Sequence, residues 1–265
     1  MKIKNILLVL VTVSAFSFFT SCGSSAVVQS AWRSSEIKID GNFTDWQNHL
    51  KLLTDQKISL GFTNDDKFLY MCLVTEDRTK IMQMTRDGFI TWFIPSGGSD
   101  NTFGIKYPLP YKNPPREQMQ NIGREMFQQG GLDKIVNMLL EKQNEIQILN
   151  FDKYSLSLLP IENQDGIKAK LGYVDGKFVY ELQVPLAVHS DYAFQIASMP
   201  GENLQIKFET EQAEAAAGRG AGAGMAQGGG GMGGMRQGAG GGNMQRFQMP
   251  EPLNYSTEVK LAQQK

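Results

Sequence analysis

A chain of 265 residues with 26 basic and 27 acidic side chains carries a formal charge of only −1 and two cysteines. That length suits one large or two small domains. The near-neutral balance argues against a nucleic-acid partner, and two cysteines exclude a disulfide-built scaffold.

The first 21 residues read as a leader. Lys2 and Lys4 form a basic start, and Ile6 to Phe19 is an apolar run too short to span a bilayer. Thr20 and Ser21 are small residues before Cys22. Phe19-Thr20-Ser21-Cys22 resembles a bacterial lipobox, which implies that Cys22 carries acyl chains, palmitate among them, as the first mature residue. Such chains hold a protein to a membrane without a transmembrane helix, each buried methylene contributing roughly 0.8 kcal/mol. An ordinary signal peptide with an incidental cysteine is the alternative. Residues 22–35 read as a tether. No acidic run follows Cys22, unlike the export signal of some surface lipoproteins, so the periplasmic face of the outer membrane is favoured over the cell surface. With Cys22 acylated, Cys72 has no partner, and its apolar surroundings predict a small core residue. Loss of Lys2 and Lys4 with the leader leaves a formal charge of −3.

The folded domain is expected over residues 36–262. Ile39-Asp40-Gly41 forms a turn before Asp45-Trp46. Ile58, Leu60 and Phe62 alternate with Ser59 and Gly61, the period of a half-buried strand. Phe68 to Val74 is apolar on both faces, as in a central strand covered on both sides. Asn64-Asp65-Asp66 supplies the turn between them. Phe89 to Ile94 is a second two-sided strand, closed by Pro95 and a Ser/Gly run. A short strand follows at Phe103 to Tyr107, and Pro108, Pro110, Pro114 and Pro115 then stop sheet pairing.

Residues 115–143 read as an inserted α-hairpin. Pro115 suits a first turn, and Met119, Ile122, Met126 and Phe127 recur at helical spacing. Gly130-Gly131 breaks the run before Leu132, Ile135, Val136 and Leu139. So short a segment buries no core of its own and must pack on the sheets. From Tyr154 the pattern predicts a meander: Tyr154 to Leu159, a turn at Asn163 to Gly166, Ile167 to Val174, and Lys177 to Val184. Asp175-Gly176 is a strong two-residue hairpin signal, because both positions take positive φ. Phe178, Tyr180, Leu182 and Val184 face one way, with Glu181 and Gln183 opposite. Leu204, Ile206 and Phe208 mark a further strand. Residues 215–245 hold half of the chain's 28 glycines and no acidic, aromatic or β-branched residue, a composition that predicts disorder. Tyr255, Thr257, Val259 and Leu261 resume alternation, so the glycine-rich stretch is a loop inside the domain, at a closure cost that grows only logarithmically with length.

Two of these segments resemble carbohydrate-binding family 9-like and DOMON-like β-sandwich modules. One is the Ile-Asp-Gly turn and Asp45-Trp46, leading to a central strand that ends near Asp77. The other, far downstream, is Tyr180-Glu181-Leu182-Gln183-Val184-Pro185-Leu186. The resemblance implies a mainly β fold, an antiparallel β-sandwich with an inserted α-hairpin and a disordered glycine-rich loop. It implies saccharide as the ligand class and a packing role for Trp46. The rival reading is a structural lipoprotein that binds other envelope proteins and has no small-molecule site.

For a sugar site the candidates are Trp92 and Tyr70, with Tyr107, as flat aromatic surfaces, and Asp77, Arg78 and Arg86, with Glu76, as a polar rim. Core aromatics and a solvated charged loop are the plainer reading, and no pair of exposed tryptophans flanks a cleft. Asp40 and Asp45 with Asp65 or Asp66 could offer oxygens to calcium, which needs six to eight, although no dense acidic loop is present and capping and turn bonding are the favoured account of them. No other cofactor is expected. His49 and His189 are the only histidines, which disfavours haem, and no CxxC or HExxH motif marks a transition-metal site. No nucleophile elbow, phosphate loop or acid pair is present, so the chain reads as a non-enzyme.

Overall fold

The computed structural model describes residues 27–98, 101–111, 115–125, 128, 130–150, 152–186, 192–211 and 251–264. The leader with Cys22, the 215–245 loop, His189, Met126 and Phe127 lie outside the described residues. In chain order the strands begin β1 (Val28–Gln29), β2 (Ala31–Trp32), β3 (Lys51–Leu53), β4 (Ile58–Asn64), β5 (Phe68–Thr75) and β6 (Phe89–Pro95). They continue with β7 (Phe103–Lys106), β8 (Glu145–Asn150), β9 (Ser155–Pro160), β10 (Lys168–Val174) and β11 (Lys177–Pro185), and end with β12 (Asn203–Thr210) and β13 (Asn254–Lys260). The helices are α1 (Arg78–Asp87), α2 (Arg116–Glu125) and α3 (Gly131–Leu140).

Two sheets face each other. The first runs β1-β13-β12-β6-β7-β8-β9, the second β10-β11-β5-β4-β2, with β3 also on β4. Pairings are antiparallel except at β1–β13 and β2–β4. The architecture is thus mainly β, an antiparallel β-sandwich carrying an α-hairpin at α2–α3. Apolar residues of both inner faces fill the space between the sheets. Phe89 stacks on Phe208 at 5.9 Å and meets Tyr180 edge-on at 5.2 Å. Phe178, Tyr180, Leu182 and Val184 all point into this core, and Glu181 points out. The β10–β11 turn has positive φ at both Asp175 (51°) and Gly176 (76°).

Four expectations are corrected. The tether of residues 22–35 joins the fold from Val28: β1 extends the edge of the first sheet and β2 that of the second, so one short segment covers both edges. Asn64 fixes this crossing, accepting from Ser30 Oγ at 2.6 Å and from the Ala262 amide at 2.8 Å. The meander does not form, because β9 pairs β8 in the first sheet while β10 pairs β11 in the second. The Asn163 side-chain amide donates to the carbonyls of Pro160 (3.0 Å) and Ile167 (2.8 Å) and so holds the crossing turn. Alternation reveals which face of a strand is apolar and not which sheet it joins. The supposed charged loop after β5 is α1, capped by the Asp77 carboxylate, which accepts from the Thr79 and Lys80 amides at 3.0 and 3.1 Å. Its buried Ile81 and Met84 are too few among charged neighbours to show a periodicity. Finally, β8 precedes the expected strand. Among the described residues no helix is long and apolar enough to cross a membrane.

Candidate functional site

The outer face of the second sheet carries a strap, residues 33–50. Ile37 and Trp46 of the strap pack on Tyr70, Cys72, Val74 and Val179 to form a second, thinner apolar layer. Within it lies a carboxylate. Glu181 is 0% exposed. Its Oε2 accepts from the amides of Gly41 (2.6 Å) and Asp40 (3.0 Å), and its Oε1 accepts from Trp46 Nε1 at 2.7 Å. The two segments that resemble family 9-like modules therefore meet in one hydrogen-bonded cluster. Burial pushes the Glu181 carboxyl up to about 7, against the pull of these three donors. Gly41 has φ +85°, and a Cβ on neighbouring Gly172 would sit 1.8 Å from the Gly41 carbonyl oxygen. Both positions are glycine because the strap touches β10 through backbone.

Beside the strap opens a cleft of about 780 Å³. One wall is aromatic: Phe68 and Tyr192 lie 6.0 Å apart at 46°, and the Tyr192 ring rests against Gly166. Arg33 of the strap, Lys168 and Gln183 also line the cleft. The Arg33 guanidinium lies 5.0 Å above the Tyr70 ring and pairs with Asp65 Oδ2 at 2.8 Å. Asp65 also accepts from the Lys67 and Phe68 amides (2.8 and 2.7 Å) and from the Tyr70 hydroxyl at 3.1 Å. Burial, and then Asp65, raise the Tyr70 phenol far above its usual range, so it stays a neutral donor. Gln183 is fixed by donating to the Gly166 carbonyl at 3.1 Å. The two rings are thus tilted against each other, and near them Arg33 and Gln183 are held by polar contacts.

The residues anticipated for a site fall in separate places. Tyr70 lies at the cleft and is 3% exposed. Trp92 is 4% exposed on the outer face of the first sheet, beside Ile90 and Leu149, with its indole over Gly104. Asp77 caps α1 and pairs with Lys57 at 3.1 Å. Burial works against its ionisation, but the Lys80 amide and Lys57 hold its carboxyl below the ordinary value. Arg78 opens α1, Arg86 pairs with its neighbour Asp87 at 2.7 Å, and Glu76 pairs with Lys177 at 2.6 Å. Tyr107 is a core residue. At about 3.3 Å per residue, Asp77 lies on the order of 20 Å along the strand from Tyr70. Phe68, Tyr192, Gln183 and Arg33 were not anticipated. Phe68 and Gln183 carry only the signal of strand ends, and Arg33 hides in what reads as tether.

The acidic residues considered for calcium serve turns. Asp40 accepts from the Asn42 amide at 2.9 Å and Asp45 from the Lys38 amide at 3.2 Å. Among the described residues no group of three or more His, Cys, Asp or Glu side chains converges on a metal position.

Two facing sheets, a strap pinned by a buried glutamate and a cleft beside it define a β-sandwich module. It is similar to the solved family 9 carbohydrate-binding module of Caldicellulosiruptor kristjanssonii in complex with glucose, at 10% identity, a TM-score of 0.33, and 72% of this chain and 80% of that one covered. The cellotriose complex gives the same identity and TM-score, with 72% and 78% covered. A candidate carbohydrate-binding protein from Bacteroides uniformis is similar at 8% identity and a TM-score of 0.37, with 71% and 84% covered. No protein-family model and no curated protein matches the chain.

Proposed function

We propose that this protein is a non-catalytic, saccharide-binding lipoprotein, anchored through Cys22 at the periplasmic face of the outer membrane. The observation that carries this reading is the cleft, lined by the Phe68 and Tyr192 rings together with Arg33, Lys168 and Gln183. A sugar ring stacks its C–H face on a flat aromatic surface, and its hydroxyls bond to fixed polar groups at the rim. Gln183 supplies an amide and Lys168 a cation, while Arg33 is held in place by Asp65.

Calorimetric titration with neutral and acidic oligosaccharides tests the proposal. Tyr192→Ala should weaken binding about tenfold, the equivalent of roughly 1.4 kcal/mol, without changing the melting temperature. Silence across a glycan array, or binding indifferent to both Tyr192→Ala and Phe68→Ala, would refute it. Cys22→Ala should release the protein from membranes, and continued association would count against the anchor.

A second reading, a scaffold for envelope proteins, is favoured by one feature. Tyr154, Leu156 and Leu158, exposed by 71, 54 and 52%, cluster at β9, the edge of the first sheet. Exposed apolar edges of this kind accept partner chains. Co-purification of an envelope protein that is lost on Leu156→Lys with Leu158→Lys would support it.

A further inference from the structure

Arg33 lines the cleft although the chain delivers it from far upstream, directly after β2. Three contacts fix where it sits. Its backbone amide donates to the Asn64 carbonyl at 2.8 Å, its guanidinium lies 5.0 Å above the Tyr70 ring, and its Nη2 pairs with Asp65 Oδ2 at 2.8 Å. Asn64 also holds the segment before Arg33, accepting from Ser30 Oγ at 2.6 Å. A long side chain is thereby held in one place before any ligand arrives, which lowers the ordering cost of binding.

The two partners of the ion pair have unequal capacity left. A carboxylate offers about four lone-pair sites. Asp65 Oδ1 accepts from the Lys67 and Phe68 amides, and Oδ2 takes the Tyr70 hydroxyl and Arg33. Asp65 is thus saturated, and its side chain is only 11% exposed. A guanidinium, by contrast, carries five N–H donors in a planar fork geometry. The ion pair runs from Nη2, and among the described residues no acceptor meets Nε or Nη1. Each hydrogen of Nη2 belongs to a different fork, so a contact to one oxygen leaves the other fork complete. The Arg33 side chain is 34% exposed, open enough for a ligand to reach it.

We propose that Arg33 is the specificity-determining donor of the cleft, giving its remaining fork to two neighbouring oxygens of a saccharide, and that Asp65 is the residue that positions it. This rests on the cleft being the binding site. Vicinal hydroxyls present two acceptors side by side, which a fork meets with two parallel N–H groups and a lysine ammonium does not. Asp65 touches no ligand itself. It holds Arg33 with one oxygen and, with the other, the backbone amide of Phe68, so both an aromatic and a polar part of the cleft are placed by a single side chain.

Side-chain NMR of the purified protein reads the positioning without any ligand. The Arg33 Nε–H resonance should stand upfield of the other arginines, because the guanidinium lies over the Tyr70 ring, and should rejoin them in Asp65→Asn. That substitution keeps an oxygen for the Lys67 and Phe68 amides and replaces the one that holds Arg33 with an N–H donor. Calorimetric titration with gluco-, manno- and galacto-configured trisaccharides reads the recognition. Arg33→Ala and Asp65→Asn should each weaken binding about tenfold, with no further loss when combined, because Asp65 acts through Arg33. Arg33→Lys keeps the charge without the fork and should bind as weakly as Arg33→Ala. Where Asp65→Asn does not fold, the two Arg33 variants and the wild-type resonance carry the test. Wild-type affinity in Arg33→Ala or Arg33→Lys, or additive losses in the double variant, overturns the proposal; if Tyr192→Ala still weakens binding, the cleft reading survives. An Arg33 resonance that lies among the other arginines in the wild type overturns the positioning whatever the sugars give. An upfield resonance that depends on Asp65, in a protein that binds none of the sugars, supports the positioning and overturns the saccharide reading of the cleft.

Discussion

Replacing Trp46 with phenylalanine probes the centre of the strap with one substitution. The indole N–H donates to Glu181 at 2.7 Å in a fully buried layer. Losing this donor leaves a buried acceptor unpaired, at a cost of about 1–3 kcal/mol. Phenylalanine also leaves part of the indole volume empty, an added loss of roughly 1 kcal/mol, comparable to a buried methylene. The combined destabilisation is about 3 kcal/mol, and for a domain of this size that lowers the melting temperature by roughly 10 °C. Differential scanning calorimetry from pH 5 to 8 measures both the size and a second signature. The Glu181 carboxyl is raised from 4.5 to about 7 in the fold, so it binds its proton more tightly folded than unfolded. Its stabilising contribution is complete below the unfolded value and is lost as pH rises through the folded one. The full loss corresponds to about 3 kcal/mol as an upper bound. Without the indole donor the carboxyl rises further, so the decline should shift to higher pH in Trp46→Phe. A melting temperature lowered by less than about 3 °C, or an unshifted pH profile, would refute a structural role for this bond.

Other substitutions test separate parts of the fold. Gly172→Ala places a Cβ 1.8 Å from the Gly41 carbonyl oxygen, and neither backbone can step aside; urea denaturation should show a loss of about 3 kcal/mol or outright unfolding. Gly176→Ala, at φ +76° with nothing within 4 Å, should cost only the left-handed backbone, about 1 kcal/mol. Asp77→Ala removes the α1 cap and should cost about 1 kcal/mol at neutral pH. Because the Asp77 carboxyl is depressed in the fold, its contribution is present above the ordinary carboxylate range and disappears as pH falls below it. The gap in melting temperature between wild type and Asp77→Ala should therefore narrow in acid.

What could be read from the chain divides along a physical line. Where one strand carries its own signal, reading succeeded: Phe178, Tyr180, Leu182 and Val184 alternate into the core, Asp175 and Gly176 take positive φ, and the spacing of Ile135, Val136 and Leu139 marks α3. Where the answer depends on a partner elsewhere, it failed. Nothing within β9 or β10 says that they belong to opposite sheets. Nothing near Val28 says that two residues will find β13 and the next two β4. The helix α1 was hidden because its charges outnumber the apolar residues it buries. The cleft illustrates the same limit. Phe68, Tyr192 and Arg33 arrive from three distant segments, and a two-sided apolar strand such as β5 gives no hint of which aromatic stays at a rim.

The meeting of the two motif segments at Glu181 bears on how such motifs inform function. The opening turn requires an acceptor for two consecutive backbone amides and an indole, and the late strand delivers one carboxylate with two oxygens to satisfy all three. Remove the strap, and Glu181 would stand exposed on a sheet face; remove Glu181, and three buried donors would lack an acceptor. Each motif is therefore constrained by the other through packing, without reference to any ligand. The pair reports a strapped sandwich, whereas the proposed cleft also draws on residues outside both motifs, such as Tyr192 and Lys168.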